Sequence, residues 1–146
     1  MKKLLLVVAL ALASACASPP VNKQPVPFTT LARGSYCEVT RPAAHVIRNH
    51  AELETFWDML GPDKQKVPDI DFNARTILAI FMGEQASGGY AIRIDRIVQT
   101  PEEVIVEVRK TTPAKGSAVS MALTRPYILV SIPRTELPIE FQYQTE

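Results

Sequence analysis

The residues that could carry catalysis are few, and their spacing matches no catalytic or metal-binding pattern. His45 and His50 lie five positions apart, whereas zinc motifs use H-x-x-x-H or C-x-x-C spacing. Ser87 precedes Gly88 and Gly89 but does not stand in the G-x-S-x-G turn that exposes a nucleophilic serine. The sequence therefore predicts a protein that is not an enzyme and that uses no cofactor and no metal. An enzyme of unknown type is the alternative.

The N-terminus carries a targeting signal. Two lysines at positions 2 and 3 precede a ten-residue apolar run at 4–13. This run is shorter than the roughly 20 residues that span a bilayer and is typical of a secretory signal peptide. The segment 13–16 reads Ala-Ser-Ala-Cys and resembles the lipobox of bacterial lipoproteins, in which the cysteine, here Cys16, is acylated. The alternative is ordinary secretory cleavage after Ala15, which would leave Cys16 as a free thiol.

A lipidated Cys16 predicts a lipoprotein of the bacterial cell envelope that carries palmitate or similar acyl chains. Each buried methylene contributes about 0.8 kcal/mol, so several chains anchor a protein without a spanning helix. Ala17, in place of aspartate, is typical of outer-membrane sorting in a Gram-negative cell. We expect a signal peptide at 1–15, the lipidated cysteine and a tether at 16–33, and one domain at 34–146. The tether is predicted from four prolines, which favour extended backbone: Pro19, Pro20, Pro25 and Pro27.

Composition and charge limit the possible partners. With 146 residues, of which 47% are hydrophobic and 21% charged, the chain has the composition of one globular domain. Removal of residues 1–15 takes away Lys2 and Lys3 and no acidic residue, which changes the formal net charge from +1 to −1. Nucleic-acid binders usually carry a clustered basic excess. A nucleic-acid partner is therefore not expected.

One amphipathic helix is predicted at 49–60. Asn49 can cap its first turn, and Glu52 stands where a capping box places Glu or Gln. Gly61 followed by Pro62 predicts its end. Apolar side chains recur at i, i+3, i+4 and i+7 and form a stripe that should face the core: Leu53, Phe56, Trp57 and Leu60.

The remaining sequence favours β-structure. Short β-prone pieces stand at 36–41 and 45–48. Further along, a continuous apolar run predicts a strand buried on both faces, and alternating apolar and polar residues predict other strands: 76–82, 90–95, 104–109, 128–132 and 139–144. Since the turns leave no room for repeated crossover helices, we predict an α+β fold, mainly antiparallel β, as a sandwich-like sheet system with one helix.

Three loops are candidates for a binding site, because binding residues often lie on loops of a rigid scaffold. The first holds Ser87, Gly88, Gly89 and Tyr90, the second spans 113–118, and the third holds Arg125, Pro126 and Tyr127. The alternatives stay open: the glycines could form only a turn with positive φ, Arg125 could be a solvated charge, and Tyr127 could be a core aromatic. Cys37 is expected to be buried and inert, with an intermolecular disulfide as the alternative.

Segments in the second half of the chain resemble those of a known family. The sequence VPDIDF at 67–72, Ser-Gly-Gly-Tyr at 87–90 and RPYILVSIP at 125–133 together resemble the PrcB C-terminal domain family. The resemblance extends over roughly residues 50–142. That family is named for a lipoprotein subunit of a bacterial surface protease complex. The resemblance implies a role in assembling or stabilising a protease and implies no catalytic residues.

A second resemblance concerns the chagasin-like inhibitors of cysteine proteases, which are β-sandwiches that present three loops. Ser-Gly-Gly-Tyr at 87–90, Lys-Gly-Ser at 115–117 and Arg-Pro-Tyr at 125–127 occur in the order of those loops. The middle segment departs from the family because it lacks the G-x-G-G pattern. We therefore expect a non-enzymatic envelope lipoprotein that binds another exported protein, foremost a protease, with direct protease inhibition as the alternative.

Overall fold

The computed structural model describes residues 22–61 and 64–146. Within these residues the chain forms eight strands and one helix. In chain order they are β1 (Gln24–Pro25), β2 (Thr29–Gly34), β3 (Ala43–Ile47), α1 (His50–Asp58), β4 (Arg75–Phe81), β5 (Ala91–Gln99), β6 (Val104–Thr111), β7 (Tyr127–Pro133) and β8 (Ile139–Thr145). In this part of the chain, no helix has the length and apolar character needed to cross a membrane. The predicted signal peptide at 1–15 and Cys16 fall outside the described residues.

The strands form two four-stranded sheets. Sheet A has the order β1-β5-β6-β8, and sheet B has the order β2-β7-β4-β3. The pairings between these strands are antiparallel except that of β6 with β8, which is parallel. The prediction of an α+β, mainly antiparallel fold is therefore confirmed.

Alternating side chains build a core between the two sheets. Sheet A contributes the inward residues of β5 and β6, and sheet B contributes those of β4 and β7. The fully buried members include Leu78, Ile80, Ile97, Val106, Val130 and Ile132. Because burial of each such side chain contributes about 1.5–3 kcal/mol, this core holds the two sheets face to face.

Sheet B is covered on its other face by α1 and the loops beside it. Ile77 and Phe81 of β4 point to this side and pack in one cluster with Leu53 and Trp57 of α1. Since both faces of β4 are buried, its sequence is a continuous apolar run and does not alternate. The prediction of a doubly buried strand is confirmed, with β4 starting and ending one residue before the expected 76–82.

The helix forms where its capping residues predict it. Asn49 Oδ1 accepts a hydrogen bond from the Glu52 backbone N–H at 2.9 Å, which satisfies one donor of the first turn. In a capping box, the Glu52 side chain would accept from the backbone N–H of the N-cap residue, Asn49. Here Glu52 Oε2 accepts instead from the N–H of the preceding residue, Arg48, at 3.1 Å. Gly61, with φ of +89°, follows the last turn, where a glycine can adopt the left-handed conformation that ends a helix.

The folded part begins before residue 34, so the predicted tether at 16–33 is wrong over its second half. β1 pairs with the end of β5, and β2 pairs along β7. The prolines are accommodated because Pro25 lies on a two-residue outer strand, and Pro27 lies between β1 and β2, where no ladder donor is required. This segment passes from sheet A to sheet B. Residues 16–21 fall outside the described residues.

The β-prone run at 36–41 is a loop and not a strand, so that prediction is also wrong. Its backbone pairs with a loop and with the end of α1 instead of a strand: the Glu84 N–H donates to Thr40 O at 3.0 Å, and the Glu38 N–H donates to Met59 O at 2.7 Å. High β-propensity does not make a strand where no neighbouring strand offers a ladder. The piece at 45–48 does belong to a strand, β3.

The outer face of sheet A carries paired charges. Asp95 lies at a bulge in β5 and accepts hydrogen bonds from Arg109 at 2.6 Å and from Arg93 at 3.0 Å. Arg96 pairs with Glu107 at 2.7 Å. The pKa of the Asp95 carboxyl lies below its usual value, and the hydrogen bond from Arg109 is the largest cause.

We expect Asp95→Asn to lower the free energy of unfolding at neutral pH but not at low pH. Because the folded pKa of Asp95 is lowered, its carboxylate stabilises the fold fully above the unfolded pKa of about 3.9. This contribution is lost as the pH falls through the folded pKa. Urea denaturation between pH 7 and pH 2 measures the effect, with the exposed Glu102→Gln as a control. A difference between variant and parent that stays constant with pH would contradict the prediction.

Candidate functional site

The three predicted loops lie at one end of the sandwich, together with a fourth segment. The antiparallel register places Phe81 opposite Tyr127 and Ala43, and it places Gly34 opposite Tyr127. The chain segments that leave or enter the sheet at these residues must therefore emerge together. We call this region the loop end: residues 35–42, 83–90 and 112–126.

Hydrogen bonds join the first loop to the segment that precedes Arg125. Gln85 and Thr124 exchange two backbone hydrogen bonds of 2.8 and 3.0 Å. The Gly88 N–H donates to Ser120 O at 2.9 Å, and Thr124 Oγ1 donates to Ser87 O at 2.7 Å. The two loops therefore form one connected unit.

Gly88 and Gly89 permit the close approach of these loops. A Cβ on Gly88 would lie 2.6 Å from Ser120 Oγ, and one on Gly89 would lie 2.9 Å from Pro113 Cβ and 3.0 Å from Val119 Cγ1. Gly89 also has φ of +84°, a backbone conformation that residues other than glycine rarely adopt. The paired glycines thus have a structural role in packing loop on loop.

Arg125 fastens the loop end from its centre. Its Nη2 donates to Glu84 Oε2 at 2.5 Å, and its Nη1 donates to Cys37 O at 3.3 Å. Its backbone N–H donates to Ser35 O at 2.7 Å. The side chain therefore connects Cys37 with Glu84, while the backbone of Arg125 binds Ser35.

Pro126 and the two predicted tyrosines contribute to packing. Pro126 O accepts from the Met82 N–H at 2.8 Å. Tyr127 is 8% exposed and belongs to the cluster under α1, so the core-aromatic alternative is confirmed for it. Tyr90 is half-buried and packs against the core between the sheets.

The segment 113–118 forms a turn of its own at the rim of the loop end. The Ser117 N–H and Oγ both donate to Ala114 O, at 3.0 and 2.7 Å. Gly116 has φ of +80°, and a Cβ there would meet nothing within 4 Å. Pro113 contacts Gly89, so the segment is attached at its start and open at its tip.

The most exposed apolar side chains of the loop end were not predicted from the sequence. Tyr36 is 61% exposed, Met121 is 88% exposed and Leu123 is 56% exposed. Tyr36 stands in the run wrongly predicted as a strand, and the other two follow a stretch of small residues. Met121 and Leu123 fit neither a helix nor a strand periodicity. Apolar residues of this kind are a sequence signal from which their exposure could have been predicted.

Of the groups that could have carried chemistry, Cys37 is buried, and the two exposed histidines lie against phenylalanine rings. Cys37 is buried, and its Sγ donates to Arg125 O at 3.3 Å; burial raises the pKa of the thiol. The rings of His45 and Phe56 lie 4.4 Å apart, and those of His50 and Phe72 lie 4.9 Å apart. Across 22–61 and 64–146, no group of three or more His, Cys, Asp or Glu residues is placed to hold a metal ion.

We expect Gly89→Ala to destabilise the fold more than Gly116→Ala. Both glycines have positive φ, which costs an alanine about 1–2 kcal/mol, but at Gly89 the methyl group would also displace Pro113 and Val119. Urea denaturation of the two variants gives the comparison, and the difference between them isolates the loop packing. Equal losses would show that the two loops are not packed in this way.

Comparison with known proteins finds one family. No curated protein and no solved structure matches the chain. The family model described as PrcB C-terminal matches residues 76–133, which begin in β4, end in β7 and include all three predicted loops. The match is shorter than the span of 50–142 suggested by the motifs. Residues 76–133 therefore match the PrcB C-terminal family, the family that the sequence motifs predicted.

Proposed function

We propose that the chain is a lipid-anchored envelope protein that catalyses no reaction and whose loop end binds another exported protein, foremost a protease. The match to the PrcB C-terminal family fits a protein that is associated with a protease complex. The observation that carries the proposal is a set of exposed apolar side chains, Tyr36, Met121 and Leu123, on hydrogen-bonded loops.

The loop end has the properties of a preorganised contact surface. Each exposed apolar residue is next to a residue whose backbone is fixed by a hydrogen bond. These hydrogen-bonded neighbours are Ser35 for Tyr36, Ser120 for Met121 and Thr124 for Leu123. Loops that are already ordered lose little conformational entropy on binding. Methionine and tyrosine are also enriched at the centres of protein interfaces.

The charges of the loop end support binding over catalysis. Glu84 is committed to Arg125, and the Cys37 thiol is buried with a raised pKa. A general acid or base must reach its substrate, and a reactive thiol requires a lowered pKa. The Cys37 thiol does not meet the second condition, and the Glu84 carboxylate is held in an ion pair with Arg125.

Direct inhibition of a protease is the second candidate, and the convergence of the three loops favours it. Residues 87–90 contact Pro113 and Thr124, so the first loop lies beside the other two. An inhibitor would abolish turnover of the bound protease at a one-to-one ratio, whereas an assembly subunit would leave turnover intact and raise the amount of protease. Assays of the captured protease with added purified chain distinguish the two.

We expect the double variant Met121→Ser/Leu123→Ser to lose its partner. The tagged full chain, isolated from detergent-solubilised envelope, should capture an exported protein that mass spectrometry identifies. Removal of two apolar contacts at an interface should lower capture at least tenfold, since full burial of a methionine or leucine side chain contributes about 1.5–3 kcal/mol. Tyr143→Ser, which removes another exposed apolar side chain, is the matched control. Equal capture by all forms, or no capture by the parent, would refute the proposal.

We expect Cys16→Ser to abolish membrane attachment. Without an acyl acceptor, no fatty chain can hold the protein at the bilayer. Labelled palmitate should enter the parent and Cys37→Ser but not Cys16→Ser, and Cys16→Ser should move to the soluble fraction. Label in Cys16→Ser, or membrane attachment unchanged by the substitution, would contradict lipidation at this residue.

A further inference from the structure

A groove of about 360 Å³ lies between the two sheets beside the loop end. We call it the edge groove. Its lining comes from the end of β2 with Ser35 after it, the start of β5, the last residue of β6 and the first residue of β7. The residues are Arg33, Gly34, Ser35, Ala91, Ile92, Arg93, Thr111 and Tyr127. It adjoins the loop end directly, because Arg125 donates to Ser35 O and Ala91 follows Tyr90.

Both sheets present an outer strand to the edge groove. β2 is the outer strand of sheet B. β5 is covered by β1 only at Val98 and Gln99, with one more hydrogen bond from the Val26 N–H to Ile97 O at 2.8 Å. Within the described residues, β5 from Ala91 to Arg96 therefore has no strand on that side. Unpaired backbone donors and acceptors along such an edge are a template for an added strand.

The floor and rim of the edge groove suit an extended chain. Ile92 is buried, belongs to the core between the sheets and supplies the apolar floor. The small side chains of Ser35 and Ala91 leave the backbone on either side within reach.

The charge of the edge groove selects the sign of its occupant. Its lining holds two arginines and no carboxylate. Arg93 already pairs with Asp95 at 3.0 Å and Glu146 at 3.4 Å. Arg33 is exposed, and its guanidinium makes no ion pair with any residue that the structure describes. An arginine with no ion-pair partner among the described residues, next to open backbone, favours a carboxylate on the incoming chain.

We infer that the edge groove binds an extended, acidic segment of the partner protein, which adds as a strand alongside β5 and places a carboxylate on Arg33. This inference rests on the proposed function and deepens it, since the groove continues the loop end. Main-chain hydrogen bonds to β5 supply a sequence-independent part of the affinity. Arg33 and the apolar floor supply the preference for acidic and alternating apolar side chains.

The test uses two capped decapeptides of alternating threonine and valine, one with two central glutamates and one with two central lysines. Each is titrated into the isotope-labelled full chain in detergent micelles, and amide chemical shifts are followed. We expect the glutamate peptide to shift the amides of residues 33–35 and 91–96 and to bind more tightly than the lysine peptide. Arg33→Gln should weaken its binding roughly two- to fivefold, as for an exposed ion pair. Lys66→Gln, which removes another exposed cation, should not weaken it.

The inference would be overturned if these amides did not shift or if only amides of β8, at the far edge of sheet A, shifted. Equal binding of the two peptides, or no effect of Arg33→Gln, would also overturn it. A change in chain mass on titration would assign the groove to a second copy of the chain and would also overturn it. Capture of the envelope partner is scored separately. If Met121→Ser/Leu123→Ser loses the partner while the peptide fails to bind, the proposed function stands and the edge groove does not take part.

Discussion

The pairing of β4 with β7 is the constraint on which the rest of the structure depends. Seven residue pairs, from Arg75 with Pro133 to Phe81 with Tyr127, join these strands in the middle of sheet B. One face of the pair carries the core between the sheets, and the other carries the cluster under α1. Because the pairing is antiparallel, the end of β4 and the start of β7 lie at the same edge. The loops after β4 and before β7 must therefore meet, whatever their sequences are.

The residues of the most conspicuous types at the loop end stabilise it from within. The Arg125 guanidinium donates hydrogen bonds to Glu84 Oε2 and Cys37 O. Gly89 permits the first loop to approach Pro113 and Val119 closely. Hydrogen bonds and close packing fix the loops in one arrangement, so that residues between the fixed points can remain exposed. Met121 and Leu123 stay exposed beside these contacts, and under the proposed function they are the residues that bind the partner. A motif can thus mark a site without containing the residues that touch the partner.

The sequence predicted the elements whose pattern is set by local burial, and it failed where long-range pairing decides. Strands β4 to β8 and α1 were found because alternation, a doubly buried run and a capped apolar stripe each leave a periodic trace. β2 was missed because neighbouring prolines indicated a tether, while its pairing with β7 lies far along the chain. The run at 36–41 has strand-forming residues but no partner strand. Exposure of Met121 and Leu123 follows from where two loops meet, which no local pattern records.

The surfaces that remain for a partner follow from what the fold has already used. Both faces of sheet B are buried, and the inner face of sheet A is in the core. On the outer face of sheet A, Arg96 pairs with Glu107 and Arg109 pairs with Asp95, so a partner that docked there would have to desolvate charges that are already paired. The exposed apolar side chains of the loop end and the uncovered backbone edge of β5 carry no such desolvation cost. A partner at the loop end would bury exposed apolar side chains, and a partner at the edge of β5 would pair with free backbone groups. The folded chain alone provides neither contact. Binding is therefore expected at this end of the sandwich.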